Sequence, residues 1–504
     1  MKKFIAFILI VILMTSILIS CGGDANTNTQ DSPTSPDNAD RTNTDNGDTA
    51  TENQNIEENA EKKGKERIEQ DLPEADFEGY TFTFLAANRT GDLDWVSPTP
   101  LELIAAEETG EPINDAVYRR NMKIMEKYNV DFNMAAGDER SMLKKAVNAG
   151  DDIYGAVVMF NNNVPGIVTG NLLLEISQLP YMDLDKPWWD PAVNALSIAN
   201  KNYLLAGDLL ILDNQATNVL LFNKVLMANL GIELPYNMVK EGKWTMDRLH
   251  DMIKDAAADL DGDGVMTNAD RWGFSVYNDT LQALLVSGGG TLAAKDENDI
   301  PYLSFTSPRN LAVLEKAMDV MYNKDYVANA QAGGATISDF QEDRVLFIWT
   351  RMRFVEMIRG MESDFGIVPL PKYDEAQDKY YSLVNSYTGA LLGVPKSAEN
   401  LDRVSIILEA LSAESRYTLQ PAYYDITLQR KYARDEESEA MLDIIFGSRV
   451  YDIGSTYEFG GVWAASRDTL SAKRSRDIMS MYEKISAKAQ KDIDKVVAIF
   501  EAMD

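Results

Sequence analysis

The 504-residue chain contains a single cysteine, Cys21, and a single histidine, His250. Without a second cysteine there is no internal disulfide, so stability must come from core burial, with a metal as the other available staple. One histidine leaves little room for His-based catalysis or a His-rich metal site. His250 sits among Leu249, Met252 and Ile253 on a helical pattern, as expected of a surface or rim residue. Positive charge is also scarce: 48 basic residues face 79 acidic ones, a net charge of −31. Such a chain repels phosphate backbones, which removes nucleic acid from the expected partners. The common catalytic signatures are missing too. There is no Gly-x-Ser-x-Gly elbow, no His-Glu-x-x-His and no phosphate-binding loop ending in Lys-Ser/Thr. The run Ser287-Gly288-Gly289-Gly290-Thr291 is glycine-rich but lacks the lysine, and reads as a helix end and loop.

What is present begins at the N-terminus. Two lysines precede an unbroken apolar run from Phe4 to Met14, the pattern of a secretory signal. Leu18-Ile19-Ser20-Cys21 then resembles the lipobox of bacterial lipoproteins. That resemblance implies a signal peptide over 1–20, diacylation of Cys21, and retention on the extracellular face of the cell membrane by a lipid anchor. The alternative is an uncleaved anchor, since about 17 apolar residues is the lower limit for a span. Residues 21–76 read as a disordered acidic tether, with no aromatic between Cys21 and Phe77. A flexible segment of about 50 residues spans roughly 40 Å.

The folded body is 45% hydrophobic over the whole chain and long enough for two lobes. Tyr80 to Leu85 alternates aromatic and polar residues, a strand signature. A helix over 114–128, a strand over 130–136, a helix over 141–147 and a strand over 153–160 follow. This β-α-β-α-β order points to a parallel sheet covered by helices. Further on, Leu220-Leu221-Phe222-Asn223-Lys224, Gly231 to Pro235 and Lys243-Trp244-Thr245 resemble extracellular solute-binding proteins of bacterial carbohydrate ABC transporters. The return crossing at 340–349, the strand Asp364 to Pro371, and the clostridial-type segment 423–438 extend the resemblance. Here Tyr236 to Gly242 makes the loop between Pro and Trp longer than in the family.

The resemblance implies an α/β, two-lobed periplasmic-binding-protein-like fold of type II, each lobe a mainly parallel sheet flanked by helices. The expected division is 77–212 with 348–415 as the first lobe and 213–347 with 416–504 as the second. It implies capture of a sugar or oligosaccharide between lobes and delivery to an ABC transporter permease, by a monomer that is not an enzyme. A lipid-anchored glycan-cleaving enzyme with a carboxylate pair is the alternative reading. Near the expected crossings, Trp188, Trp189, Asp213, Asn214, Trp349, Arg351, Tyr387, Tyr424 and Trp463 are the ligand-binding candidates. Flat rings stack on sugar C–H faces, and Asp, Asn and Arg pair with hydroxyls. Trp188 and Trp189 are adjacent, so in extended chain they face opposite ways and at most one reaches the cleft. Each of these residues could equally be core.

The strongest local motif is Asp259 to Asp270, which fits the twelve-residue calcium loop. The expected ligands are Asp259, Asp261, Asp263, the Val265 carbonyl and Asp270, for a structural calcium ion. Trp244 and Trp272 flank the loop and are expected to pack there. Trp272 to Val276 reads as a strand rather than the exiting helix of a calcium sensor.

Overall fold

In β1 (Tyr80–Ala87), Phe82 and Phe84 point into one core and Leu85 into another, all three fully buried. The computed structural model describes residues 67–88, 102–358, 360–429 and 436–503. After β1 come α1 (Pro112–Tyr128), β2 (Val130–Gly137), α2 (Glu139–Ala149) and β3 (Ala156–Phe160). The Glu111 carboxylate accepts the Asn114 N–H and Pro112 opens α1, while Asn129 ends it at φ 49°. Asp138 caps α2, and Gly150 closes it in the left-handed region. Next are β4 (Asn218–Asn223), α3 (Met246–Ala256), β5 (Trp272–Val276), α4 (Thr280–Ser287), β6 (Ala293–Lys295) and β7 (Pro301–Leu303). Then follow α5 (Pro308–Met321), β8 (Val327–Asn329), β9 (Val345–Arg351), β10 (Phe365–Val368), β11 (Ser382–Leu383) and β12 (Ala390–Gly393). The chain closes with α6 (Leu401–Ser415), β13 (Arg449–Val450) and the 25-residue α7 (Ile478–Ala502).

Two sheets organise these elements. The first has the order β12-β3-β1-β2, with β1 parallel to β2 and β3, and β12 antiparallel to β3. The second has the order β10-β4-β9-β5-β8, with β5 parallel to β9 and β8. In β3, Val157 and Met159 join one core and Ala156 and Val158 the other, so the strand is buried on both faces. Three segments connect the sheets side by side. Thr217 bridges Val384, and β11 pairs in parallel with β13.

Several expectations meet a different arrangement. The division at 347/348 would place Phe365–Val368 with the first sheet, but β10 pairs antiparallel with β4 in the second. The reason lies at Gly366: a Cβ there would stand 2.1 Å from Phe222 Cζ and 2.4 Å from the Tyr236 hydroxyl. The helix Leu419–Gln429 packs on α1, beside the first sheet rather than the second. Trp244 does not pack on the acidic loop. It stacks on Phe347 at 5.8 Å and donates to the Pro369 carbonyl at 2.9 Å. The eleven-residue α3, about 16 Å long, separates it from the loop.

Residues 67–76, expected as the last part of the tether, have no regular secondary structure yet lie against the body. Arg67 pairs with Glu414, the Ile68 N–H donates to the Tyr417 hydroxyl at 2.8 Å, and Leu72 and Ala75 meet the first-sheet core. The signal segment 1–20, Cys21 and the tether up to residue 66 lie outside the described residues. Among the described residues no helix is long and apolar enough to cross a membrane.

Candidate functional site

Parallel strands release their chains at the same edge, and that carboxyl edge is where open α/β sheets bind ligands. In the second sheet, β5 ends at Val276 and hands over to Tyr277-Asn278-Asp279, while the neighbouring β9 ends in Trp349-Thr350-Arg351. In the first sheet, β3 ends at Phe160 and turns into Asn161-Asn162-Asn163.

These ends carry aromatic and polar groups together. The Tyr277 ring lies 5.9 Å from Trp349, and the Tyr387 ring 6.1 Å from Trp463. Both indoles are nearly inaccessible, at 3% and 1% exposure, and neither Nε1 has a hydrogen-bond partner. Buried and likewise unpartnered are both amide atoms of Asn161, Asn385 Nδ2, Ser386 Oγ and Asp279 Oδ1. A Cβ on Gly389 would stand 3.1 Å from Asn161 Nδ2 and 3.1 Å from the Asn385 carbonyl, which brings the two asparagines together. Buried polar groups in native proteins are nearly always paired. Each one left bare costs about 1–3 kcal/mol, which makes these strand ends a candidate place for a polar partner.

Charge converges on the same place. Burial pushes the Asp279 carboxyl up, against the pull of Arg351 and Arg467. The Tyr387 hydroxyl donates to Glu458 Oε1 at 3.1 Å. Burial, then the Glu458 charge, raises the Tyr387 phenol to about 12. Glu458 itself sits at φ 53°, a left-handed conformation uncommon for a non-glycine residue, at the end of the helix Ile453–Tyr457.

Of the nine candidates, Trp349, Arg351, Tyr387 and Trp463 belong to this constellation. The others gather elsewhere. Trp188 and Trp189 both donate their indole N–H to Glu409, at 2.9 and 2.8 Å, so they do not face opposite ways. The chain turns there, with the Trp189 N–H bonded to the Lys186 carbonyl, so extended-strand alternation does not apply. Asp213 and Asn214, in the short helix Leu212–Ala216, both accept from Arg449. Tyr424 packs edge-on against Phe446 at 5.3 Å. Asn161, Tyr277, Asp279, Asn385, Ser386, Glu458 and Arg467 were absent from the expected set. For Asn161, Tyr277 and Asp279 the signal was available, because each lies within three residues of the end of an expected strand.

The acidic loop folds around its own backbone. Asp259, Asp261 and Asp263 each bring a carboxylate oxygen within 4.8 Å of the others, an array suited to a hard cation. At Asp261 the Asp263 N–H pulls the pKa down, but burial and the neighbouring carboxylates outweigh it and raise it. Asp270, expected as the closing ligand, is instead bonded by the N–H groups of Leu260 and Thr267, at 2.8 and 2.7 Å. The Trp272 indole donates to the Thr267 carbonyl at 2.8 Å, fixing the loop to β5.

Solved structures share this architecture. A sugar transporter from Rhizobium etli in an open conformation matches with a TM-score of 0.53 at 13% identity, over 84% of this chain and 100% of its own. A cyclo/maltodextrin-binding protein complexed with maltotetraose matches at 0.52 and 13% identity, over 85% and 99% of the two chains. UgpB from Mycobacterium tuberculosis, in complex with glycerophosphocholine, matches at 0.51 and 16%, over 77% and 97%. At such identities the likeness establishes the fold, a two-lobed periplasmic-binding-protein-like one. No protein-family model and no curated protein matches the chain.

Proposed function

We propose that this two-lobed chain is the substrate-binding lipoprotein of a bacterial ABC transporter, capturing a sugar or oligosaccharide for delivery to the permease. One observation carries the reading. At the carboxyl ends of the two sheets, unpartnered buried indole, amide and hydroxyl groups lie on or beside two aromatic pairs, Tyr277 with Trp349 and Tyr387 with Trp463. A sugar answers both demands: its hydroxyls pair with the bare groups, and its C–H faces lie on Trp349 and Trp463. Because both indoles are buried, a ligand must enter through an opened state, and its binding then favours closure. Cys21, acylated, would hold the protein on the extracellular face of the cell membrane. The structural neighbours named above are transport or binding proteins, which supports capture over cleavage.

Intrinsic tryptophan fluorescence, titrated with maltotetraose, other oligosaccharides and glycerophosphocholine, tests this. The expected result is a saturable shift with a glycan that Trp349→Ala or Trp463→Ala weakens by about tenfold or more. If both variants bind like the parent, the constellation is not the site. Release of reducing ends during the titration would replace the binder with a glycan-cleaving enzyme. We also propose a structural calcium ion on Asp259, Asp261 and Asp263, with Val265 lending its carbonyl and Asp270 shaping the loop.

A further inference from the structure

A separate cavity of about 740 Å³ opens beside the crossing segments, within the roughly 300–1,000 Å³ usual for small-molecule sites. Tyr277, Trp349, Tyr387 and Trp463 are not among its walls. Those walls come instead from the 187–192 turn, the 207–208 turn, the glycines after α4, the chain before β11 and the chain around β13.

We propose that this cavity is a second binding site, for one ring of a neutral polyhydroxylated compound such as a sugar or cyclitol. Three features define that chemistry. Trp189, Tyr381 and Phe446 supply aromatic walls on which the C–H face of a ring can lie. Tyr451 lines the cavity at 4% residue exposure, and its buried hydroxyl has no hydrogen-bond partner. Asp190 and Asp208 line it as well, and each is held by an arginine. Arg449 reaches Asp190 at 2.9 Å and Arg416 reaches Asp208 at 3.2 Å. The carboxylate charge is thus offset while free lone pairs remain to accept hydroxyl protons.

The same walls argue against other ligand classes. An anion would face Asp190, Asp208 and Asp452, while a cation would face Arg449 and Lys379. A wholly apolar molecule would leave the Tyr451 hydroxyl bare. A neutral polyol satisfies all of them at once.

Gly447 provides the test. It lines the cavity, its φ lies outside the left-handed region, and a Cβ added there meets nothing within 4 Å. Gly447→Phe should fill the space without removing a contact. Tyr451→Phe removes only the hydroxyl and serves as the second probe. Glucose, maltose and myo-inositol would be titrated by calorimetry into the full chain, on the parent and on a Trp463→Ala background that disables the strand-end constellation.

The expected result is saturable binding of at least one probe that survives Trp463→Ala, is abolished by Gly447→Phe and is weakened about tenfold by Tyr451→Phe. Unchanged binding in both cavity variants overturns the proposal, as does the absence of saturable binding of all three probes at millimolar concentration. Any second binding event seen in Gly447→Phe belongs to the strand-end constellation and should be lost on Trp463→Ala; its persistence there would refute that constellation without touching this site, so the two readings fail separately.

Discussion

Glu102 shows how much a single buried carboxyl can do. Its side chain is 1% exposed and accepts from the N–H groups of Ile211 and Leu212 at 3.2 and 3.3 Å. Burial nevertheless dominates and pushes its pKa from 4.5 to about 7. The folded pKa lies above the unfolded one, so folding favours the protonated acid. The stability it contributes is fully present below about pH 4.5 and is lost as pH rises through about 7. Glu102→Gln, a neutral isostere, should therefore flatten the pH dependence of urea unfolding and leave the protein more stable at pH 8, by roughly 1–3 kcal/mol. A variant whose stability still falls between pH 5 and pH 8 as steeply as the parent's would show that another group carries the effect. No sequence pattern singled out Glu102, because the N–H groups that bond its carboxyl belong to Ile211 and Leu212, more than a hundred positions away.

At the scale of elements, the acidic loop between α3 and β5 is the one to perturb. Three carboxylates with oxygens within 4.8 Å repel one another, and a divalent cation would remove that cost. Adding millimolar calcium to chelator-stripped protein should raise the calorimetric melting temperature by a few degrees, and Asp261→Asn should reduce the rise. An unchanged melting temperature would leave the loop as a solvated turn. The cluster was legible because its three carboxylates stand at alternate positions within five residues. The β1-α1-β2-α2-β3 run was legible for a related reason: the alternation in Tyr80 to Leu85 and the helical spacing in 112–128 are local signals. The partner of β10 was not. Phe365 to Val368 is an apolar strand that fits either sheet, and what selects the second is Phe222 and Tyr236 closing over the bare Cα of Gly366. The paired tryptophans misled for the opposite reason. An extended chain would separate Trp188 from Trp189, but the turn at Lys186 rotates both onto Glu409, a residue 220 positions on.

For the whole molecule, the candidate site depends on bringing the ends of two sheets together, so no single segment of sequence contains it. Four of its residues were nevertheless within reach, because aromatic and charged residues beside expected crossings are few. In the proposed reading, capture by the folded body and anchoring at Cys21 should be separable. Cys21→Ala should release the protein into the medium with its ligand affinity unchanged. Cell fractionation and fluorescence titration of the released protein check the two halves, and a change in affinity would mean that the anchor does more than hold.

The clasp at Arg67 bears on how that holding works. Arg67 grips Glu414, and the Ile68 N–H grips Tyr417, at the end of α6 on the first-sheet side of the body. Lys123 of α1 shares the same carboxylate at 2.9 Å. With Cys21 anchored as proposed, tension along the chain would reach α6 and α1, the two stacked helices that hold residues 67–68. Under that reading the mooring would load one lobe, and the three crossing segments would lie outside the line of pull.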